Sequence, residues 1–216
     1  MSNQFDKIKK AYEDSFKEHG DSPASLLCPK GRQHLRFSAL DDLLGQSRMS
    51  VLDYGCGLGH LFKYLTRQGF DVDYHGVDIV PSFVDHCIEK HGASARFDVI
   101  DPEADVTERY DIVFASGVFN IKSCDDAAEA KQYAFARIQQ LYSISKKALV
   151  CDFLTSYVDF QQEGAQHISI SDVADFCYES MTRRFVIRHD LLPYEFTLIA
   201  RADNEIVRPD NVYSIA

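Results

Sequence analysis

Residues 51–60 have the sequence VLDYGCGLGH, which is typical of a buried strand, a glycine-rich turn and the start of a helix. Val51 and Leu52 suit a strand that is covered on both faces. Glycine at every second position of the turn lets a ligand approach main-chain N–H groups at a helix N-terminus. These glycines are Gly55, Gly57 and Gly59. Asp53 ends the strand, where its carboxylate can accept hydrogen bonds from an ammonium group. The segment therefore predicts a site for an adenosine-type cofactor.

A dinucleotide-binding turn is the first alternative, because such proteins also place glycines after a strand. The dinucleotide pattern G-x-G-x-x-G, started at Gly55, requires a glycine at position 60, where this chain has His60. Since a pyrophosphate needs close backbone approach along the whole turn, this histidine disfavours NAD or FAD. A strand, turn and helix with no ligand at all is the other alternative that the segment alone leaves open.

Two later strands also carry acids. HGVDI is typical of a second strand, and its Asp78 follows Asp53 by 25 positions (78 − 53). This is close to the offset of about 20 residues at which an acid reaches ribose hydroxyls. RFDVI is typical of a short third strand, whose Asp98 can accept a hydrogen bond from an adenine amino group. Helical patterns alternate with these strands, which predicts a parallel α/β sheet.

Together with YDIVFASGVFN, a fourth strand and its loop, these segments resemble the motifs of class I S-adenosylmethionine (SAM)-dependent methyltransferases. The resemblance covers roughly residues 30–200 and is strongest to short bacterial enzymes that act on small molecules. It implies a doubly wound, Rossmann-like α/β fold with seven mostly parallel strands and an antiparallel last strand. It also implies that the turn glycines cradle the methionine part of SAM and that Asp78 binds the ribose. Asp98 and Val99 are implied to bind the adenine.

Residues 1–46 are predicted to form an N-terminal helical cap on a methyltransferase domain of residues 47–216, within a single structural domain. Apolar residues recur at helical spacing near the start, which indicates a helix packed on the domain edge, a lid over the cofactor, or both. They are Phe5, Ile8, Tyr12 and Phe16.

The cap is also expected to supply a cation for the α-carboxylate of SAM, because the glycine turn supplies none. In several small-molecule methyltransferases an arginine about 17 residues before the first-motif acid does this, and Arg36 is 17 before Asp53 (53 − 36). A guanidinium suits a carboxylate because it donates two parallel hydrogen bonds. Arg32 lies one helical turn away, and the arginine that does not hold SAM can hold an acidic acceptor. Solvated surface charge is the alternative for both. The predicted cofactor-binding residues are Arg36, Asp53, Gly55, Gly57, Gly59, Asp78, Ile79, Asp98, Val99 and Ser116.

The composition of the chain limits the classes of molecule that it is expected to bind. With 33 acidic and 23 basic residues the chain has a formal net charge of −10, which disfavours nucleic acid and favours a small-molecule acceptor. No apolar run approaches the roughly 18 residues of a membrane span, and the first residues have no apolar signal core. Six cysteines without a C-x-x-C pair predict reduced thiols. We expect a cytoplasmic monomer or homodimer.

The acceptor side of the site is expected in the loops that follow the fourth, fifth and sixth strands. His167 and His189, in the last two of these loops, are the predicted general bases, because imidazole can accept a proton near neutral pH. Tyr194, in the loop of residues 189–195, is predicted to close or orient the pocket. An acceptor that is already an anion needs no base. No cysteine cluster or H-x-x-x-H pair has metal-ligand spacing, so no metal is predicted.

The predicted function is therefore SAM-dependent methyl transfer to an oxygen or nitrogen atom of a small metabolite, acidic metabolites included, with S-adenosylhomocysteine (SAH) as the product. Two alternatives remain. One is a methyltransferase that acts on protein or RNA, and the other is a non-catalytic protein that binds SAM for regulation.

Overall fold

The computed structural model describes residues 2–27, 31–45 and 47–203. Its strands are β1 (Met49–Tyr54), β2 (Val72–Asp78), β3 (Arg96–Val99), β4 (Tyr110–Ala115), β5 (Ser145–Thr155), β6 (His167–Ile168), β7 (Phe185–Leu192) and β8 (Glu195–Arg201). Its α-helices are α1 (Ser2–His19), α2 (Gln33–Phe37), α3 (His60–Gln68), α4 (Pro81–His91), α5 (Ala127–Ser143) and α6 (Ile170–Ser180). Short 3₁₀ helices lie at Pro23–Leu26, Ser38–Leu40, Gly92–Ser94 and Val118–Asn120.

The main sheet has the strand order β3-β2-β1-β4-β5-β8-β7. The first five strands of this order are parallel to one another, and β8 is antiparallel to both of its neighbours. The predicted mostly parallel sheet with an antiparallel last strand is confirmed. Two-residue β6 pairs with the end of β5 and adds an eighth strand. The strand order reverses between β1 and β4, and ligands bind in such sheets beyond the carboxyl ends of the strands at this point.

Helices cover both faces of the sheet, as a doubly wound fold requires. Two neighbouring apolar residues of β1 face opposite sides of the sheet: Leu52 packs in a cluster with Ile138 of α5, and Val51 packs in a second cluster with Leu65 of α3. Both β1 side chains are fully buried. The central strand is thus apolar on both sides, because each side is covered by a helix.

Local sequence sets the ends of the helices. Helix α3 ends at Gly69 in the left-handed region, and α4 begins with Pro81, both as the sequence predicts. Helix α5 begins after Asp126, whose carboxylate accepts a hydrogen bond from the backbone N–H of Glu129 at 2.8 Å. These residues therefore determine where each helix meets its connecting loop.

Helix α1 connects the two helical layers. The ring of Phe5 lies 5.5 Å from that of Tyr133 on α5. Farther along α1, the rings of Tyr12 and Phe16 lie 5.9 and 5.4 Å from that of Phe83 on α4. The apolar residues of α1 therefore cross from one face of the domain to the other.

The hairpin at the end of the sheet differs from the sequence prediction. Residues 189–195 were expected to form a loop, but β7 continues through His189 to Leu192 and the turn consists only of Pro193 and Tyr194. A register shift between Arg188 and Leu192 accommodates this extension.

Three further observations concern the described part of the chain. No described helix is long and apolar enough to cross a membrane. Five cysteines are free thiols there, and Cys28 lies outside the described residues, as does residue 46, the predicted boundary of the cap.

Candidate active site

A cavity of about 980 Å³ lies at the carboxyl ends of the central strands. The ends of β1 and β2, the loops after β4 and β5, the β7–β8 hairpin and α1 all line it. Seven of the ten predicted cofactor-binding residues are among its walls. They are Arg36, Asp53, Gly55, Gly57, Asp78, Ile79 and Ser116. Topology explains this agreement, because the ends of parallel strands meet at one edge.

The glycine turn approaches the cavity as backbone alone. Gly55 and Gly57 have φ angles of +80° and +53°, which L side chains rarely adopt. A Cβ on Gly57 would lie 2.8 Å from Cδ2 of Leu26 in the cap, and one on Gly55 would collide with Val118. A side chain at either position would strain the backbone and force a neighbouring side chain to move, so the turn presents main chain to whatever occupies the cavity.

Two buried carboxylates stand beside this turn. Asp53 accepts a hydrogen bond from the hydroxyl of Tyr74 at 2.5 Å, and Asp78 accepts from the backbone N–H groups of Gly57 and Val80 at 2.8 and 2.9 Å. Burial raises the pKa of Asp53 to about 7 although the Tyr74 hydrogen bond opposes it. Burial likewise raises the pKa of Asp78 to about 6 against its backbone hydrogen bonds. Ionised, the pair favours hydroxyl donors and cationic groups.

The predicted adenine residues lie elsewhere. Asp98 accepts hydrogen bonds from His75 and Arg96 at 2.9 and 2.7 Å, and the side chain of Val99 is exposed. Neither residue lines the cavity. The reason is that β3 is an edge strand on which Asp98 is engaged by His75 and Arg96 and Val99 faces solvent, so neither side chain reaches the cleft.

Residues just beyond β3 line the cavity instead. Ile100 and Pro102 line the cavity, and the backbone N–H of Ile100 donates to the carbonyl of Asp78 at 2.9 Å. Buried Arg137 of α5 holds this loop by donating to the carbonyls of Pro102 and Ala104 at 2.8 and 2.9 Å. The loop is therefore fixed against both β2 and α5.

Gly59 and His60 connect the turn to its surroundings, and His60 also lines the cavity. Gly59 caps α3 and faces Cys87 and His91, and it does not line the cavity. His60, the residue that argues against a dinucleotide, contacts Gln33 and Asp21 of the cap, each at 3.1 Å. Burial lowers the pKa of His60 although Asp21 opposes the shift. The histidine thus joins the start of α3 to the cap.

Arg36 forms an ion pair that the sequence did not predict. Its Nε and Nη2 donate to the two carboxylate oxygens of Glu195 at 2.6 and 2.7 Å. The side chains are 13% and 18% exposed, and both residues line the cavity. The pair joins α2 of the cap to the first residue of β8.

The loop after β4 is held by β5. Buried Asp152 accepts from the backbone N–H of Gly117 at 2.9 Å, and Asn120 accepts from the backbone N–H of Leu154 at 3.0 Å. Asn120 also accepts through its carbonyl from the backbone N–H of Gln166 at 2.9 Å. This loop therefore places Ser116 at the cavity and connects it with the segment before β6.

The three predicted catalytic residues differ in their position relative to the cavity. His167 and Tyr194 line the cavity, whereas His189 is exposed and lies outside its lining. Nδ1 of His167 lies 2.8 Å from the carbonyl oxygen of Thr155. Since a carbonyl only accepts, Nδ1 carries the proton and Nε2 of the neutral ring carries a lone pair. Nε2 of His189 instead lies 3.3 Å from the carbonyl of Pro193.

Within the described ranges, no three His, Cys, Asp or Glu side chains are placed to hold a metal ion. Sequence reasoning missed Ile100, Pro102, Arg137 and Glu195. A search for the residues just after each strand would have found the first two. Glu195 lies 159 residues from Arg36, and no sequence spacing announces such a pair.

Comparison with known proteins agrees with this geometry. A family model described as a methyltransferase domain matches residues 29–185. The Mycobacterium tuberculosis protein Rv1506c, named as a methyltransferase, is 29% identical over 154 residues, which cover 70% of this chain and 92% of that protein.

Two solved structures share the fold. Magnesium protoporphyrin IX methyltransferase from Synechocystis PCC 6803 with bound SAM has a TM-score of 0.61 at 19% identity, covering 89% of this chain and 96% of that one. The second is the 1,6-didemethyltoxoflavin-N1-methyltransferase of Burkholderia thailandensis with bound 1,6-didemethyltoxoflavin and SAH. It has a TM-score of 0.64 at 18% identity, and the match covers 91% of this chain and 88% of that one.

The chain belongs to the methyltransferase-domain family, within the class I SAM-dependent methyltransferases. SAM is the cofactor of this family, and the backbone turn and buried carboxylates fit it.

Proposed function

We propose that this methyltransferase acts on an oxygen or nitrogen atom of a small molecule, carboxylate-bearing metabolites included. The observation that carries the proposal is the continuity of the cavity. One volume of about 980 Å³ runs from the glycine turn to His167 and Tyr194, and α1 covers part of it through Phe5, Ile8 and Tyr12. Cavities of this size take small ligands.

Residues on one side of this cavity would hold SAM. Asp78 would accept from the ribose hydroxyls, Asp53 from the α-ammonium group, and Arg36 would donate to the α-carboxylate. Gly55 and Gly57 offer backbone at the methionine part. In place of Asp98 and Val99, we assign the adenine end to Ile79, Ile100 and Pro102, which line the cavity next to Asp78.

Bound SAM supplies a methyl group on a sulfonium, which is already electrophilic. The chain's own residues then need to position the acceptor, exclude water and, for a neutral acceptor, take up a proton. His167 is the proposed base, because its hydrogen bond to Thr155 directs the lone pair of the neutral ring to Nε2. An exposed His189 that lies outside the cavity lining is assigned no role in the reaction.

A small-molecule acceptor is favoured over protein or RNA by charge and shape. The net charge of −10 gives no electrostatic attraction to phosphates. Apolar side chains of α1, Val158, Phe160 and Leu192 share the walls with the polar Asn120 and Gln166. Such a mixture suits a compact molecule with an apolar body and a few polar atoms.

Thermal unfolding without ligand and with SAM, SAH or NAD tests the cofactor site. A ligand at about 100 times its dissociation constant stabilises by roughly 2.7 kcal/mol, which raises Tm by a few degrees. We expect this rise with SAM and SAH and none with NAD. Methyl-labelled SAM and a cell extract then test the acceptor. Label in the small-molecule fraction is expected, whereas label confined to protein or RNA would contradict the proposal.

A further inference from the structure

Of the two residues in the Arg36–Glu195 ion pair, Glu195 has the more rigid backbone support. Glu195 lies in a sheet: its backbone is registered with Leu154 of β5 and with Leu192 of β7. Arg36 lies in α2, a five-residue helix of the cap. Because the sheet is the firmer support, the carboxylate fixes the guanidinium rather than the reverse.

The contact constrains the orientation of the arginine. Two parallel hydrogen bonds of 2.6 and 2.7 Å hold the plane of the guanidinium, whereas one bond would let it rotate. The remaining nitrogen, Nη1, lies 3.5 Å from the position that a Cβ on Gly117 would occupy. Gly117 follows Ser116, which lines the cavity. Engaging Glu195 through Nε and Nη2 thus directs Nη1 toward the loop after β4.

We propose that Glu195 is a positioning residue for the amino-acid end of the cofactor, acting through Arg36. The inference rests on the proposed function, in which Arg36 donates to the α-carboxylate of SAM. A guanidinium has five N–H donors in one plane, so an anion at Nη1 is compatible with Glu195 at the opposite edge. Because Glu195 already holds the side chain of Arg36 in one rotamer, that side chain loses less conformational entropy when the cofactor binds.

Charge gives the opposite expectation, which makes the inference testable. Removing the carboxylate takes away a negative charge beside Arg36, which on its own would strengthen binding of another carboxylate. Positioning predicts weaker binding instead, because an arginine that lacks the two hydrogen bonds to Glu195 is held less firmly in the binding rotamer before the ligand arrives. The sign of the change separates these two effects.

The test measures dissociation constants of SAH and of 5′-methylthioadenosine, which lacks the amino-acid group, by isothermal titration calorimetry. Glu195→Gln is expected to weaken SAH by about tenfold, the cost of ordering one long side chain, and methylthioadenosine by less than about twofold. Arg36→Met combined with Glu195→Gln is expected to bind SAH no more weakly than Arg36→Met alone, because the two residues act as one unit.

Asp203→Asn is the matched control. Asp203 pairs with Arg184 at 2.6 Å, its side chain is 19% exposed, and neither residue lines the cavity. This variant should change neither dissociation constant. If Glu195→Gln fails to fold, Glu195→Asp keeps the charge on a shorter side chain and should weaken SAH selectively in the same way.

Tighter SAH binding by Glu195→Gln would overturn the inference in favour of competition for Arg36. Equal losses for SAH and methylthioadenosine would also overturn it, because they would mean that the pair only holds the cap on the sheet. Failure of the unmodified protein to bind either compound would overturn the proposed function itself, before any variant is compared.

Discussion

The backbone N–H of Gly57 donates to Asp78 Oδ2 at 2.8 Å, so the residue that would bind the ribose also holds the glycine turn in place. The other oxygen of Asp78 accepts from the backbone N–H of Val80 at 2.9 Å. One carboxylate therefore holds both the glycine turn after β1 and the loop after β2. The side chain of Asp78 would therefore contribute both to ligand binding and to the stability of the fold.

Replacing Asp78 should consequently affect both properties. Asp78→Ala leaves two buried N–H donors without an acceptor, each costing about 1–3 kcal/mol. Because burial raises the pKa of Asp78, removal of the buried charge offsets part of this cost, and we expect a free energy of unfolding lower by roughly 2–4 kcal/mol. SAH binding should fall below detection. Asp78→Asn keeps one acceptor oxygen and should lose less stability. Urea unfolding and calorimetry measure the two effects. An alanine variant of unchanged stability would contradict the importance of these hydrogen bonds.

A pair of glycine substitutions separates backbone strain from contact in the turn. Gly57→Ala imposes a left-handed residue, at about 1–2 kcal/mol, and pushes a Cβ to 2.8 Å from Leu26. Gly69→Ala imposes the same backbone cost at φ +80° with no atom within 4 Å of the new Cβ. We expect Gly57→Ala to be the less stable of the two and to lose SAH affinity, whereas Gly69→Ala should bind normally. Equal stabilities in urea unfolding would show that Leu26 yields without cost.

The buried Asp53 predicts a pH dependence of the ligand-free protein. Its pKa is raised from 3.8 to about 7 in the fold, so the folded state holds a proton that the unfolded chain has released. Stability therefore declines as pH rises from about 4 through about 7. Asp53→Asn cannot ionise and can still accept from Tyr74. It should gain roughly 1–4 kcal/mol relative to the unmodified protein at pH 8 and little at pH 4.

Urea unfolding from pH 4 to pH 8 measures this difference. Asp172→Asn is the control, because pairing with Lys131 lowers the pKa of Asp172. Above pH 5 the carboxylate of Asp172 is ionised in both the folded and the unfolded chain. The effect of Asp172→Asn on the free energy of unfolding should therefore not vary between pH 5 and pH 8. A pH-independent effect of Asp53→Asn would contradict the raised pKa.

Hydrogen bonds assign opposite tautomers to two histidines. His167 should carry its proton on Nδ1, which faces the carbonyl of Thr155, and His189 on Nε2, which faces the carbonyl of Pro193. Two-bond proton–nitrogen correlation spectra of the neutral rings distinguish the two forms. A His167 ring protonated on Nε2 would remove its lone pair from the proposed catalytic position.

Much of the fold could be predicted because β1 and its turn have unmistakable local chemistry: an apolar strand, glycines and an acid at fixed spacing. The ends of short strands are less determined. Asp98 and Ile100 differ by two positions, and the propensities of so short an edge strand do not say which of them reaches the cleft. The β7–β8 hairpin was missed for a related reason, since His189 and Asp190 are polar residues on an exposed part of a strand.

Long-range pairs are a different case. Arg36 was predicted from its distance to the first-motif acid, but its partner Glu195 depends on the sheet bringing β8 beside α2. Nothing in the neighbourhood of Glu195 distinguishes it from other surface acids. Such contacts follow from the tertiary arrangement, and only the folded chain reveals them.

The separation of 159 residues between Arg36 and Glu195 has a consequence for synthesis. At about 5–20 residues per second, roughly 8–30 s pass between translation of the arginine and of its carboxylate partner. A nascent chain can build β1, the glycine turn and β2 within that interval. We therefore expect the Arg36–Glu195 pair to form only after the glycine turn and the first strands are in place.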